Sequence, residues 1–444
     1  MRVFFSNLGC KLNQAELECL AREFRAAGHR IAPSLAEADL HVVNTCTVTH
    51  RAARDSRKLA RRGRRLNPRL RTVLTGCYVS AEPDQAAKLA GVDLVVPNRD
   101  KDHLLQRVHE AFPEEAPLGI DAAPLPIPYV PLAFGKARAL VKVEDGCNMR
   151  CAFCIIPLTR GRQRSRPLRE VVEEVRQLTA GGFQEVVVTG VQISSYRWDG
   201  AGLFELVGTL LSETAVPRLR LTSIAPWQFD RRLLDLCATG RLCRHFHLSL
   251  QSGCAATLRR MRRPYEPLQF AELVETIRAA VPGVAITTDL IVGFPGESED
   301  EFAESLRFTD EMRFARVHAF PYSSRAGTEA AKLPNHVPHP VTKERMQRAL
   351  GVARRSERRF WRRHLGREAQ VLWETRRRGL WMGMTDNYLR LVTRSRQDLA
   401  QRLGSARPEE VTEDGLWSSI PAPSLGSAAL AGPAVEGGGA PAAP

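Results

Sequence analysis

Asp145-Gly-Cys147-Asn-Met-Arg-Cys151-Ala-Phe-Cys154-Ile-Ile-Pro157 sets three cysteines at C-x3-C-x2-C spacing, directly after an apolar run at 139–143 that reads as a strand. A four-iron cluster needs thiolates on several of its corners, and one loop of this spacing wraps three of them. No fourth cysteine is supplied, so one iron is left with an open coordination position. A zinc site usually presents two C-x2-C or histidine-containing pairs, and no second pair lies close by. Three structural thiols brought to this spacing by chance are the remaining alternative. Cys147, Cys151 and Cys154 are therefore read as metal ligands.

Working outward toward the N-terminus, residues 1–110 repeat a unit of strand, cysteine and helix. Apolar runs at 3–8, 40–43 and 72–75 end at Gly9-Cys10, Asn44-Thr45-Cys46 and Gly76-Cys77, and a further run at 93–96 closes the pattern. Strands alternating with helices predict a parallel sheet. Ligands gather beyond the carboxyl ends of such strands, so Cys10, Cys46 and Cys77 should converge and hold a second cluster with one open iron. The alternative is three small buried hydrophobes, as free cysteines often are. Cys19 has no such placement and reads as core. Residues 51–71 carry ten arginines and lysines, from Arg51 to Arg71, against Asp55 alone. Like charges at three- and four-residue spacings repel, so the run predicts a helix facing phosphates rather than a merely solvated face.

Toward the C-terminus, a proline- and alanine-rich stretch at 111–132 reads as an extended linker. Six apolar strands, at 139–143, 185–190, 218–224, 245–251, 285–293 and 315–322, alternate with helical segments and predict a partial β/α barrel over 133–364, with its chemistry at the strand carboxyl ends. Polar and glycine residues stand at those ends: Gly190, Gln192, Ser249, Gln251, Asp289 and Gly293. Thr159-Arg-Gly-Arg-Gln-Arg-Ser-Arg166 places four arginines just beyond the cysteine loop, suited to phosphate or carboxylate through the planar guanidinium fork. A basic helix is expected at 344–363. Short alternating runs over 365–421 predict a small β-barrel, whose Arg376–Arg378, Trp381, Tyr388 and Arg390 mix cations with aromatics as RNA-binding surfaces do; an ordinary barrel with a basic hairpin is the plainer reading. The alanine-, glycine- and proline-rich tail at 422–444 is expected to be disordered. The fold class that results is α/β, with a parallel-sheet domain, a partial barrel and a small β-barrel.

The 444 residues carry a formal net charge of +15, with 43% hydrophobic and 25% charged residues. That balance favours a polyanionic partner, most simply nucleic acid. No long uncharged apolar run is present to enter a membrane. The opening Met1-Arg-Val-Phe-Phe is too short an apolar run for a signal peptide, and ten cysteines without one point to reduced thiols and a cytoplasmic location.

The Cys147 loop resembles that of the radical S-adenosylmethionine (SAM) enzymes, and the chain as a whole, from residue 1 to about 420, resembles the radical SAM methylthiotransferases. The marks are Gly9-Cys10-Lys-Leu-Asn-Gln14, Asn44-Thr45-Cys46, Thr75-Gly76-Cys77, the Cys147/Cys151/Cys154 loop, Leu250-Gln-Ser-Gly253, Asp289-Leu-Ile-Val-Gly-Phe-Pro-Gly296 and Phe320-Pro-Tyr-Ser323, with an ending like a TRAM domain. The resemblance implies two [4Fe-4S] clusters and SAM as cofactors. One SAM would methylate a sulfur on the cluster held by Cys10, Cys46 and Cys77. A second, at the Cys147 cluster, would yield the radical that activates a substrate C–H bond. Gly190, Gln192, Ser249, Gln251 and Asp289 become candidate SAM contacts, and an electron donor and a sulfur source are required but not identified. Cys-Lys-x-Asn-Gln and Arg-Gly-Arg-x-Arg-Ser-Arg resemble the branch acting on threonylcarbamoyladenosine in tRNA, whose carboxylate Arg162 or Arg164 would pair with. The other branches act on isopentenyladenosine in tRNA or on a ribosomal-protein aspartate. A non-catalytic iron–sulfur RNA-binding protein is the alternative of a different class. Ala225, where the family commonly has Glu, and Ser249, where Pro is usual, depart from the pattern.

Overall fold

The computed structural model describes residues 1–115 and 137–420. The five-stranded N-terminal sheet runs in the order Arg30–Ile31, Arg2–Asn7, Leu40–Thr45, Arg71–Gly76, Leu94–Val96, parallel throughout. Both faces are covered, as parallel sheets require. Val3, Phe5, Leu40 and Val42 pack under Leu17, Leu20 and Phe24 of helix Lys11–Ala26, and Val43 and Leu74 pack against Ala53, Ala60 and Tyr78. The chain leaves the first strand in one direction along the sheet and returns in the other, so the switch point lies between Arg2–Asn7 and Leu40–Thr45. Cys10 and Cys46 follow those two strands and Cys77 follows the next.

The basic segment forms helix His50–Leu66, capped by Thr49, which accepts a hydrogen bond from the Ala52 amide. Its inward face is built from small residues, Ala53, Ser56, Ala60 and Gly63, while Arg51, Arg54, Lys58, Arg61, Arg62 and Arg65 are exposed.

Among the described residues, the central region has six parallel barrel strands: Arg138–Lys142, Glu185–Thr189, Arg218–Leu221 continuing into Ser223–Ile224, His245–Leu248, Ala285–Val292 and Arg316–Pro321. Ala139, Val141, Val186 and Val188 point outward into the helix layer. Leu140 and Val187 point inward and meet Ala15 of helix Lys11–Ala26. Among the described residues the first and last strands do not pair, so the barrel is open and the N-terminal domain lies against its side.

The C-terminal strands Ala369–Arg377, Leu380–Thr385, Arg390–Thr393, Leu416–Ser419 and Leu403–Val411 close into a β-barrel. It is wired to the base of the central barrel. Arg220 donates to the carbonyls of Thr385 (2.9 Å) and Asp386 (3.0 Å), Arg218 to that of Met384 (3.1 Å), and Arg244 pairs with Asp386 (2.6 Å). Tyr388 stacks on His245 with ring centroids 4.2 Å apart. The aromatic reading of this barrel's surface needs correction: Trp381 is buried in the core with Trp373 and Leu391, and Tyr388 faces the central barrel, so only the Arg376–Arg378 hairpin and Arg390 stay exposed. Packing claimed both rings, one in the small barrel's core and one against the central barrel. The basic helix spans His339–Arg362. Of the expected linker at 111–132, Ala111 ends a helix and Pro113–Glu115 is a 3-10 turn; the rest, like the expected disordered tail at 422–444, lies outside the described residues.

Candidate active site

The loop that carries Cys147, Cys151 and Cys154 is held by its own backbone. Asp145 accepts from the Gly146 amide (2.8 Å), and the Cys147 amide donates to the Gly161 carbonyl (3.1 Å). Gly146 has φ +74°, and the Arg162 carbonyl occupies the place a side chain would take, so only glycine fits. Met149 offers its amide to the Cys147 sulfur (3.4 Å), and the Arg263 guanidinium lies 3.4 Å from that of Cys151. Burial raises the Cys147 thiol and pushes Cys154 up to about 12. Protonated thiols are what a buried ligand set shows without its metal, since ligation releases those protons.

Cys10, Cys46 and Cys77 converge at the sheet edge. A Cβ added to Gly9 would sit 2.9 Å from Cys46 Cβ and 3.1 Å from its sulfur, so only glycine lets the Cys10 loop approach Cys46 this closely. Gly76, at φ +103°, meets the Thr45 backbone just as closely on the other side. Asn13 ties the loops by donating to the Leu8 (2.8 Å) and Thr45 (3.0 Å) carbonyls, and Asn98 donates to the Cys77 sulfur (3.6 Å). Burial pushes the Cys46 thiol up to about 11, whereas Cys10 stands at the exposed rim of the triplet. Among the described residues no three Cys, His, Asp or Glu side chains close on a single metal ion. Thiolates bound to different corners of a cluster need not meet at one point, and the soft donor set fits an iron–sulfur cluster.

The two triplets flank one seam. Helix Ile156–Arg160, just after Cys154, lies against helix Cys77–Ala81, with Asn98 bridging from Cys77 to the Thr159 carbonyl (3.0 Å). At its centre Arg160, buried, donates to Glu16 (2.8 Å), Asp145 (2.8 Å) and Asn13 (2.6 Å). Lys101 pairs with Glu16 (2.7 Å) and reaches Asn44 (3.3 Å). Burial opposes charge on Glu16, but Lys101, Arg160 and Lys142 overcome it and hold the carboxyl well below its usual range. Each cysteine-bearing segment contributes a polar neighbour to this network or its flank. The sequence reading missed it, although Asn13, Asn44 and Asp145 beside the cysteines were its visible trace. A second tie was missed as well: Arg325 donates to the Thr47 carbonyl (2.8 Å), and Ser323 accepts from the His50 amide (3.1 Å), joining the end of the last barrel strand to the Cys46 loop.

The strand-end candidates divide by depth. Gln192 lies next to the Cys147 sulfur (3.6 Å), with its amide on Glu144 (2.9 Å) and its side chain on Gln228 (2.7 Å). Gly190 packs so tightly on Glu144 that a Cβ would come within 2.7 Å of its carboxylate. The Ser249 carbonyl accepts from Arg263 (2.8 Å) and Tyr265 (3.1 Å). Gln251 has φ +71°, rare for a residue with a side chain, and its buried amide oxygen has no partner among the described residues. An orphaned buried acceptor of this kind suits a ligand contact. Asp289 lies in the lumen 3.1 Å from His247. Gly293 packs instead on Thr342 and faces away. Ala225 is buried, its amide on Ser194 (3.1 Å). Of the four arginines beyond the loop, Arg160 is the centre of the seam and Arg166 pairs with Glu174 (2.6 Å); only Arg162 and Arg164 remain exposed.

Comparison with known proteins agrees with this arrangement. Residues 141–309 match the Radical SAM superfamily and residues 2–97 match Uncharacterized protein family UPF0004. The chain is 34% identical over 415 residues to the threonylcarbamoyladenosine tRNA methylthiotransferase MtaB of Bacillus subtilis, covering 90% of this chain and 92% of that one. It is 36% identical to the MtaB of Aquifex aeolicus, at 88% and 96% coverage. The chain belongs to the radical SAM methylthiotransferase family. It is also 33% identical to a tRNA-2-methylthio-N(6)-dimethylallyladenosine synthase of Staphylococcus epidermidis, covering 77% of this chain and 69% of that protein. Among solved structures, the radical SAM methyltransferase TsrM of Kitasatospora setae shares the fold, with a TM-score of 0.55 at 16% identity over 71% of this chain and 72% of that one. The protein is thus a radical SAM methylthiotransferase, and radical SAM enzymes bind SAM and a [4Fe-4S] cluster. Among the described residues no helix is long and apolar enough to cross a membrane.

Proposed function

We propose that the protein converts N6-threonylcarbamoyladenosine in tRNA to its 2-methylthio derivative. The observation that carries this reading is the pair of cysteine triplets set on either side of the Arg160–Glu16 seam, in a chain that aligns over about nine-tenths of its length with threonylcarbamoyladenosine enzymes. Cys147, Cys151 and Cys154 hold the SAM-cleaving cluster, and Cys10, Cys46 and Cys77 hold a second one. When bound, these groups and SAM supply the sulfur, the methyl group and the radical. Gln192, Gly190, Ser249, Gln251 and Asp289 line the SAM side, with the Gln251 oxygen available to a donor on SAM. Arg162 and Arg164 stand exposed beside the loop, where an anionic substrate reaches them. The exposed face of helix His50–Leu66 and the Arg376–Arg378 hairpin supply cations for the tRNA backbone. Residues 1–110, 133–364 and 365–421 serve as sheet, barrel and RNA-binding domains. The electron donor and sulfur source are separate proteins or small molecules, and a tRNA substrate implies work in the cytoplasm.

The test is nucleoside mass spectrometry of tRNA from a host that lacks its own methylthiotransferases and expresses this chain. Appearance of 2-methylthio-threonylcarbamoyladenosine supports the reading. A methylthiolated isopentenyl nucleoside instead keeps the chemistry and overturns the substrate. Iron counted per chain decides the second cluster: about eight atoms supports it and about four removes it.

A further inference from the structure

A cavity of about 940 Å³ opens where helix Lys11–Ala26, the inner face of the central barrel and the C-terminal β-barrel meet. Its volume suits a nucleoside-sized ligand. Its walls are cationic: Lys11 from the helix, Arg138 and Arg316 from the first and last barrel strands, and Arg377, Arg378 and Arg390 from the C-terminal barrel. Two acids face them, Glu374 and Asp414, and Glu374 is already taken by Arg138 at 2.7 Å. Arg316 reaches Glu357 only at 3.9 Å. Lys11 is exposed into this space, and no carboxylate among the described residues pairs with it. Like charges gathered round a concave space repel one another unless an anion shares it.

Lys11 directly follows Cys10, so one peptide bond joins the cavity wall to the second cysteine triplet. The relatives differ in what the adenine bears. A threonylcarbamoyl group ends in a carboxylate, whereas a dimethylallyl group is uncharged and apolar. A methylthio group placed at C2 from the Cys10 side leaves the N6 substituent only a few bonds away, within reach of a lysine stem rooted one residue along. Arg162 and Arg164 are the other cations near the loop, but neither lines this cavity.

We propose that Lys11 is the carboxylate receptor of the substrate pocket and selects an anionic, amino-acid-bearing N6 substituent, which the cationic cavity accommodates. This rests on the tRNA reading above. Arg162 and Arg164 are then left to the RNA backbone.

The test uses the reconstituted full chain on two anticodon stem-loop RNAs, one bearing threonylcarbamoyladenosine and one synthesised with the threonyl carboxylate replaced by a carboxamide. Lys11→Met should lower kcat/KM on the carboxylate RNA by roughly 10- to 100-fold, the effect of losing one charge-assisted hydrogen bond. The same change should leave the carboxamide RNA, already poor for the unaltered chain, almost unaffected. Lys11→Arg should recover most of the loss. Equal losses on both RNAs, or no loss on either, overturn the proposal while leaving the tRNA reading standing. An unaltered chain that does not methylthiolate the carboxylate RNA overturns both. Should Lys11→Met lose iron, Lys11→Gln carries the same pair of measurements: a loss confined to the carboxylate RNA supports the proposal, and an equal loss on both RNAs overturns it.

Discussion

Cys147, Cys151 and Cys154 come from one short loop, whereas Cys10, Cys46 and Cys77 arrive from three strands of a sheet. The loop needs little more than its own turn: Gly146 at a positive φ and a hydrogen bond to Gly161. The sheet-borne triplet exists only if three parallel strands hold their register, Asn7 opposite Asn44 and Thr45 opposite Gly76. A one-residue slip in any strand would turn its end, and its cysteine, the other way. Closing a short loop also costs less chain entropy than assembling distant segments. One ligand set is thus a property of local sequence and the other of the folded domain.

The largest test of this contrast is removal of single thiols. Alanine at any of the six cysteines should abolish methylthio product, a fall of more than about 1,000-fold, because an incomplete ligand set does not retain its cluster. The two triplets should separate in a second readout. Cys147→Ala, Cys151→Ala and Cys154→Ala should also end release of 5′-deoxyadenosine after reduction, while Cys10→Ala, Cys46→Ala and Cys77→Ala should keep it. Loss of SAM cleavage in all six variants would dissolve the distinction.

The seam between the triplets comes next. Arg160→Met takes from Glu16 one of its three cations, leaving Lys101 and Lys142, and from Asp145 its nearest one, so it should destabilise the apoprotein in urea by less than the roughly 3–5 kcal/mol of a buried charge left wholly alone. The sign with pH follows from Glu16. Its carboxyl is held low in the folded chain, so its contribution is complete above the unfolded value near about 4.3 and is lost as pH falls through the folded value. The urea midpoint should therefore decline below about pH 5, and Glu16→Gln should flatten that decline. A midpoint indifferent to acid would show that the seam adds nothing.

Glycine substitutions test the two backbones directly. Gly76→Ala, at φ +103° against the Thr45 backbone, should cost about 1–3 kcal/mol and deplete iron from the sheet-borne site. Gly161→Ala, at φ +76° and ψ −157°, a conformation essentially confined to glycine, should cost about 1–3 kcal/mol but, with open space around it, leave iron unchanged. The smallest effect belongs to the outer surface. Exchanging Arg61, Arg62 and Arg65 for glutamine should weaken tRNA binding modestly and reduce the salt slope by about one for each phosphate no longer neutralised, with turnover at saturating tRNA preserved. An unchanged slope would make that helix a merely solvated face.

The cysteine loop and the three strand-end cysteines were legible because their signals are short-range: ligand spacing in one case, and apolar runs ending in cysteine in the other. The six barrel strands were legible because buried parallel strands are continuous apolar runs. Glu16, Lys101 and Arg160 were not, since a charged residue on an amphipathic helix looks the same in sequence whether it meets water or a partner far along the chain, 144 residues away for Arg160 and Glu16. Trp381 and Tyr388 mislead for the same reason. Aromatic residues among arginines read as a binding face, and only the folded chain shows Trp381 in the small barrel's core and Tyr388 stacked on His245 of the central barrel. Arg166 reads in the sequence as poised over the site, but Glu174, on the next helix, claims it.

Of the bonds that fasten the C-terminal barrel to Arg218 and Arg220, three end on main-chain carbonyls, those of Met384, Thr385 and Asp386. A carbonyl is common to every amino acid, so this part of the joint depends on the path of the loop far more than on its spelling. Met384 and Thr385 enter the joint with the two arginines through their backbone alone, whereas Asp386 and Tyr388 also engage Arg244 and His245 through their side chains and are fixed in identity. The enzyme thus carries a fitting at its base that is read partly by shape and partly by two specific side chains.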